Sequence, residues 1–505
     1  MRLSGRLNLR APEMSTEILR LKHKLDTLIT EIEVDSRARI DGWADQIHRP
    51  GFAPSAANLA HYLALRHHDL RPLQHSLMAL GLSSLGRLES RVMPTLLAVR
   101  ATLAALAGEP DMLRPSSKQF FAGEHDLAGR SAELFGPLSG ARRSALLVTC
   151  PSEAADDPTF MLRLAERGVE AVRINCAHDD APAWQRMINH LHVAEEATGR
   201  RMKVLMDIAG PKIRTGAART PDGRDRIVTG DLVAIVAQGE FERIDLDDEH
   251  FAVECTLPDP LTRAAVGARV FVDDGKLCVR IERKTAWGLV GRVTATAETG
   301  FRLKPEKGLN FPDTPLDIPA LTAKDRADLD FVAAHADGVE FSFVQSVGDV
   351  KMLQAALAER RPDDWHKLSL VLKIETPDAV AHLPDILVQA AGRQPTAVMI
   401  ARGDLAVEIG FARLAEMQEE ILWIGEAAHV PVIWATQVLE HLVKKGTPSR
   451  GEMTDAAMAA RAECVMLNKG PYLFKAITEL DTLLGRMADH QHKKTPQLRR
   501  LRSWG

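Results

Sequence analysis

The strongest constraint on the fold is a pattern that begins after Gly140, where short β-branched, apolar runs alternate with amphipathic stretches of helical period. That alternation predicts repeated βα units and a parallel sheet. The candidate strands are Ala145–Val148, Ala171–Asn175, Lys203–Asp207, Gly338–Phe343, Leu368–Ile374, Ala397–Ile400, Pro431–Trp434 and Cys464–Leu467. All but the third lead into a helical stretch. Eight units predict an α/β fold, a (β/α)8 TIM barrel over residues 141–216 and 302–490, with an open doubly wound sheet as the rival. Between Gly216 and Arg302 the helical period vanishes, and short alternating runs (Ile227–Val228, Leu232–Val236, Ala268–Val272, Leu277–Arg280) predict a small β-barrel lid domain, 217–301, inserted after strand three.

Residues 1–140 carry helical spacing instead, as in Ile18, Leu21, Leu25, Leu28 and Ile32, and Pro50, Pro54, Pro72 and Pro94 divide them into separate helices. The expectation is an all-α N-terminal extension that packs on the barrel or on a second copy of the chain; residues 491–505 read as a C-terminal tail. His61, His67, His68 and His75 lie in this extension without acidic spacing, so solvated helix faces are favoured over a metal site. At 45% hydrophobic and 26% charged residues the chain is ordinary globular protein, and a net charge of −4 suggests neither a nucleic-acid nor an anionic-membrane partner. Five scattered cysteines without a Cys-x-x-Cys pair indicate neither a disulfide framework nor structural zinc. Met1–Arg10 lacks the apolar core of a signal peptide, and Arg100 interrupts the apolar stretch Val92–Ala107. A soluble cytoplasmic protein is expected.

In such a barrel the chemistry sits where the strands end. Strand two ends in Arg173 and Asn175 with His178 beyond, strand three in Asp207 followed by Lys212 and Arg214, and strand five in Lys373 and Glu375. Strand six ends in Arg402, Gly403 and Asp404, strand seven in Thr436 and Gln437, and strand eight in Asn468 and Lys469. Any one of these alone reads as a satisfied polar strand end. Lys373 and Glu375, two apart on a strand, share a face, and Asp404 arrives from the next strand. Two carboxylates without histidine or cysteine suit a hard Mg²⁺ or Mn²⁺, a structural salt-bridge cluster being the alternative. The surrounding Arg173, Lys212, Arg214, Lys373 and Lys469 make the rim positive and point to phosphate or carboxylate chemistry. A P-loop is excluded, since Leu277 follows Gly275-Lys276 where Ser or Thr is needed. Phosphoryl transfer needs alignment and charge neutralisation, which this rim can supply.

Several motifs, in order, resemble those of pyruvate kinases: Val172-Arg-Ile-Asn-Cys-Ala-His178, Asp207 through Gly216, Lys373-Ile-Glu375, Ile400-Ala-Arg-Gly-Asp-Leu405, Trp434-Ala-Thr-Gln-Val-Leu-Glu440 and Thr447 through Asp455. Val272-Asp-Asp-Gly275 is similar to the family's lid. The resemblance covers about 140–485 and implies transfer of phosphate from phosphoenolpyruvate to ADP, giving pyruvate and ATP, in a Mg²⁺-dependent homo-oligomer. It assigns Glu375 and Asp404 to the metal, Lys373 and Arg173 to the phosphoryl group, Gly403 and Thr436 to the substrate carboxylate and enolate side, and Arg173, Arg214 and His178 to the nucleotide.

The departures from the family are specific. Ala177 and Ile208 stand where the family's potassium ligands carry hydroxyls, Asn175 and Asp207 remain, and Lys212 stands where potassium-dependent members have Glu. The expectation is activity without K⁺, with Lys212 substituting for the cation. Strand one reads Val148-Thr-Cys-Pro-Ser152 and strand eight Leu467-Asn-Lys-Gly470, both altered from the family. The family's C-terminal effector domain is expected to be missing. Two other functions stay open on sequence alone: a Mg²⁺-dependent barrel lyase or aldolase acting on pyruvate or phosphoenolpyruvate, and a weakly active regulatory paralogue.

Overall fold

The structure, a computed structural model, describes residues 11–496 apart from 222, 242–250 and 317. Strands β1 (Ala145–Thr149), β2 (Ala171–Asn175) and β3 (Lys203–Ile208) open the barrel. The inserted sheet follows, with β4 (Thr215–Arg219), β5 (Leu232–Ala237), β6 (Phe251–Cys255), β7 (Arg269–Val272), β8 (Leu277–Lys284), β9 (Gly288–Thr296) and β10 (Leu309–Asn310). Strands β11 (Gly338–Phe341), β12 (Ser369–Ile374), β13 (Thr396–Ala401), β14 (Val432–Ala435) and β15 (Cys464–Leu467) complete the barrel. The order β1-β15-β14-β13-β12-β11-β3-β2 is closed and every pair is parallel, so the open sheet is ruled out. All eight expected barrel strands are present.

The inserted sheet is barrel-like, seven-stranded and mostly antiparallel, in the order β10-β7-β8-β9-β5-β6-β4, around its own core of Val233, Ile235, Val253, Val279 and Leu289. Two details differ from the sequence reading. Ile227–Val228 is not a strand: Ile227 exchanges hydrogen bonds with Phe301 alone, and the Gly230-Asp231 turn ends the pairing. The fourth barrel strand stops at Phe341, because Phe343 adopts a left-handed φ of +56° that no strand accommodates.

The N-terminal region is helical, with Ala11–Trp43, Ala53–Leu65, Arg71–Ala79, Val92–Leu106 and Ala122–Phe135 as its main helices. Pro54, Pro72 and Pro94 each lie in a first turn, where the missing N–H costs nothing. The region packs against the barrel. Ile18, Leu21, Leu25, Leu59 and Leu96 belong to the same continuous core as the barrel helices. Asn58 Nδ2 donates to Ala427 O at 2.8 Å, Trp43 Nε1 to Asp385 Oδ1 at 2.7 Å and Arg130 Nη1 to His429 O at 2.8 Å. Leu134 and Phe135 enter the barrel's inner core beside Ala145, Leu147, Ala171 and Leu205, closing its lower mouth. No helix among the described residues is long and apolar enough to cross a membrane.

Candidate active site

The upper ends of the strands gather the charged residues around a cavity of about 150 Å³, lined by Arg173, Asn175, Asp207, Lys212, Arg214, Lys373, Glu375, Asp404 and Thr436. Register explains the convergence. Parallel pairing sets Asn175 beside Asp207 and Thr149 beside Arg173, so inward-facing residues of adjacent strands meet at one level.

Lys373 is the hub. Its Nζ, largely buried, donates to Ser342 Oγ at 2.6 Å, lies 3.2 Å from both oxygens of Asp207 and stands 3.2 Å from Glu375 Oε1. Burial works against its charge, but Asp207 and Glu375 outweigh it and hold the ammonium form above its ordinary range. Arg173 Nε donates to Asp207 Oδ2 at 2.9 Å and to Glu340 Oε2 at 3.1 Å; Nη1 donates to Thr149 Oγ1 at 3.1 Å and Nη2 pairs with Asp207. Burial would raise the Asp207 carboxyl, yet Lys373 and Arg173 hold it below the usual range. Both cations are therefore charged and fixed before any ligand arrives.

The two candidate metal carboxylates face the same cavity. Glu375 Oε2 accepts from Phe343 N at 2.6 Å, and its carboxyl is raised by burial and by the charge of Asp404, against the pull of Lys373. Lys212 Nζ donates to Asp404 Oδ1 at 2.8 Å. Thr436 Oγ1 accepts from Gly403 N at 2.8 Å, with Gly403 and Asp404 in the first turn of helix Arg402–Ile409. Thr436, Gln437 and Leu439 all have left-handed φ values, +61°, +57° and +49°. Strain of this kind persists only where the surroundings impose it. Arg402 imposes it here, bonding Thr436 O at 2.7 Å, Ala435 O at 2.9 Å and both oxygens of Asp455.

Arg214 lines the cavity and donates through Nη1 to Glu306 O at 3.1 Å. His178 and Lys469 are not part of its wall. His178 is exposed, and burial of part of its ring, then the charge of Lys469, lowers its pKa. Sequence reasoning missed Thr149, Glu340 and Ser342. The signal was present in Gly338-Val-Glu340-Phe-Ser342, an alternation that sends Glu340 and Ser342 inward, hidden by the apolar residues between them.

The upper rim of a closed parallel barrel thus carries two carboxylates, two buried cations and an inserted β-sheet. The family model "Pyruvate kinase, barrel domain" matches residues 141–475. The chain is 31% identical over 367 residues to a pyruvate kinase of Mycobacterium intracellulare, covering 70% of this chain and 72% of that one. It is 32% identical over 334 residues to a pyruvate kinase of Corynebacterium efficiens, 65% of each chain, and 29% identical over 356 residues to pyruvate kinase 2 of Trypanosoma brucei brucei, 69% and 67%. The chain belongs to the pyruvate kinase family.

Proposed function

We propose that the chain transfers the phosphoryl group of phosphoenolpyruvate to ADP, giving pyruvate and ATP. The observation that carries this reading is the buried Lys373, held charged between Asp207 and Glu375 at the floor of a cavity that Arg173 also lines. Two preorganised cations neutralise phosphoryl oxygens best when they need no rearrangement. Gly403 and Asp404 lie in the first turn of their helix, where the positive end of the helix dipole and the backbone N–H of Asp404 suit an anionic carboxylate, the Gly403 N–H being held by Thr436. Because the Thr436 hydroxyl already accepts from Gly403 N, its own proton is free for the enolate side of the ligand. Arg214, at the base of the inserted sheet, would meet the nucleotide phosphates, with His178 beside it on the outer rim.

Glu375 and Asp404 fit a divalent cation such as Mg²⁺ or Mn²⁺. They supply only carboxylate oxygen, and the charge of Asp404 raises Glu375, a repulsion that a bound cation relieves. Such an ion, when bound, supplies Lewis-acid neutralisation of phosphoryl and carboxylate oxygens. Independence from K⁺ is the accompanying proposal. Asp207 is already saturated by Arg173, Lys373 and Ser342, and Ile208 is fully buried, so no spare oxygen set remains beside Asn175. All five cysteines are free, which supports a reducing compartment such as the cytoplasm. A homo-oligomer is expected, to be measured by light scattering.

The deciding assay supplies phosphoenolpyruvate, ADP and Mg²⁺, with and without K⁺, and follows pyruvate and ATP beside Lys373→Met. Pyruvate formed without ADP would mark a lyase or phosphatase, and no product with any metal would leave only a regulatory role.

A further inference from the structure

Barrel interiors are filled in layers by apolar side chains, and below the rim this one follows the rule with Val371, Met399, Ile433 and Met466. Glu340 breaks it. The residue sits in β11 opposite Asp207, so both side chains take the inner face, and Glu340 is completely buried. Its Oε2 accepts from Arg173, while Oε1 has no hydrogen-bond partner among the described residues. Burial pushes the carboxyl up to about 8, with the Arg173 charge working the other way. A half-satisfied buried carboxyl costs stability that an apolar residue of similar volume would not, so packing gives no reason for it.

The geometry of Arg173 does. Its Nε is shared between Asp207 and Glu340, Nη1 is tied to Thr149 and Nη2 to Asp207. With all three nitrogens anchored, the guanidinium plane is fixed, and one N–H on each Nη stays available to a ligand. Asp207 cannot do this alone. It also serves Lys373 through both oxygens at 3.2 Å and accepts from Ser342 at 3.0 Å. Glu340 is the one carboxyl anchor of Arg173 that no other cation in the cluster uses through a hydrogen bond.

We propose that Glu340 is a positioning residue, which from beneath the cavity fixes the plane of Arg173 for phosphoryl binding and leaves Asp207 to hold Lys373. This rests on the reading of Arg173 as a phosphoryl-binding group, so the test must separate the two.

The full-length chain is compared with Glu340→Leu and Glu340→Gln for KM of phosphoenolpyruvate, KM of ADP, kcat, and calorimetric affinity for inorganic phosphate. Glu340→Leu is expected to raise KM for phosphoenolpyruvate and Kd for phosphate about tenfold, the worth of one hydrogen bond to a charged group, with KM for ADP unchanged. Glu340→Gln, whose amide oxygen still accepts from Arg173 Nε, should restore both to within about threefold of wild type. Equal impairment in the two variants, or none in either, overturns the proposal. If Glu340→Leu fails to fold, Glu340→Met, closer in length to Glu and without an oxygen acceptor, replaces it and is expected to show the same loss. If the wild type turns over no phosphoenolpyruvate, the phosphotransfer reading fails, and the phosphate affinities alone decide the role of Glu340.

Discussion

The two mouths of the barrel hold the same kinds of residue and use them in opposite ways. At the lower mouth Arg142 and Glu170 form a buried pair: Arg142 Nη2 lies 2.7 and 2.9 Å from the two Glu170 oxygens, and Nη1 donates to Ser139 O at 2.6 Å. Glu170 also accepts from Ser139 N at 2.9 Å and Leu146 N at 2.8 Å, and Leu134 and Phe135 fill the space beneath. At the upper mouth Arg173, Asp207, Glu340, Lys373 and Glu375 are just as dense, and each mouth leaves a buried atom without a hydrogen bond among the described residues, Arg142 Nε below and Glu340 Oε1 above; what differs is that above, Phe343 and Thr436 are strained and a cavity remains. Buried charge that leaves no open space beside it is structure. Buried charge beside strained backbone and open space is what a ligand site requires, and on the proposed function its cost in stability is tolerated for that reason.

That contrast breaks first at Lys373. Replacing Lys373 with Met should reduce kcat by about 10³, since a preorganised cation facing developing charge is lost, while circular dichroism stays native. A loss below about tenfold would make the upper cluster structural after all. Phe135→Ala tests the other mouth. Truncating a fully buried aromatic plug should lower stability by about 3–5 kcal/mol in urea unfolding, with kcat and KM unchanged at temperatures where the protein stays folded. If Phe135→Ala also impaired turnover, the two mouths would be coupled through the barrel core.

The barrel and much of its upper mouth were legible in the sequence; the lower mouth was not. All eight barrel strands follow from apolar runs bounded by turns, because central parallel strands are buried on both faces and read as continuous apolar segments. Lys373, Glu375 and Asp404 stood out because two of them share one strand face and the third arrives from the next strand. Glu340 escaped notice because it lies inside a strand, where one charged residue among apolar neighbours reads as an interruption. The Leu134–Phe135 plug escaped because helical periodicity reports that a face is apolar and not which surface it covers. β4, β6, β9 and β10 were not foreseen; in β9, Gly288–Thr296, glycine and threonine blur the period, and β10 is only two residues long.

On the lower flank, a second charged cluster sharpens the comparison through pH. Glu426 sits with Glu89 and Glu463 among Lys493 and Lys494 of the C-terminal hairpin Gln491–Pro496, and burial first, then the neighbouring carboxylates, push its carboxyl up to about 7. A carboxyl raised in the folded state contributes stability that is full below its unfolded value of 4.5 and is lost as pH rises through about 7. Glu426→Gln should therefore gain on wild type by up to about 3 kcal/mol between pH 5 and pH 8, read from urea midpoints. Turnover at the opposite mouth should not follow that change; parallel loss of kcat above pH 7 in wild type only would tie the flank to the site.

The smallest effect is expected at Lys212. Its ion pair with Asp404 is partly open to solvent, with side-chain exposures of 28% and 19%, so Lys212→Ala should alter stability by less than about 1 kcal/mol. Activity should nevertheless fall, because the lysine adds positive charge to a cavity whose other cations are already shared among Asp207, Glu340 and Glu375. Adding K⁺ to this variant distinguishes two ways of filling a cation's place. Ala177 and Ile208 bring no hydroxyl, and Asp207 has no free oxygen, so K⁺ should not restore the rate. A many-fold rescue by K⁺ would mean that Asn175 and Asp207 still form a working monovalent site once the lysine is gone, and that Lys212 excludes the ion instead of replacing it.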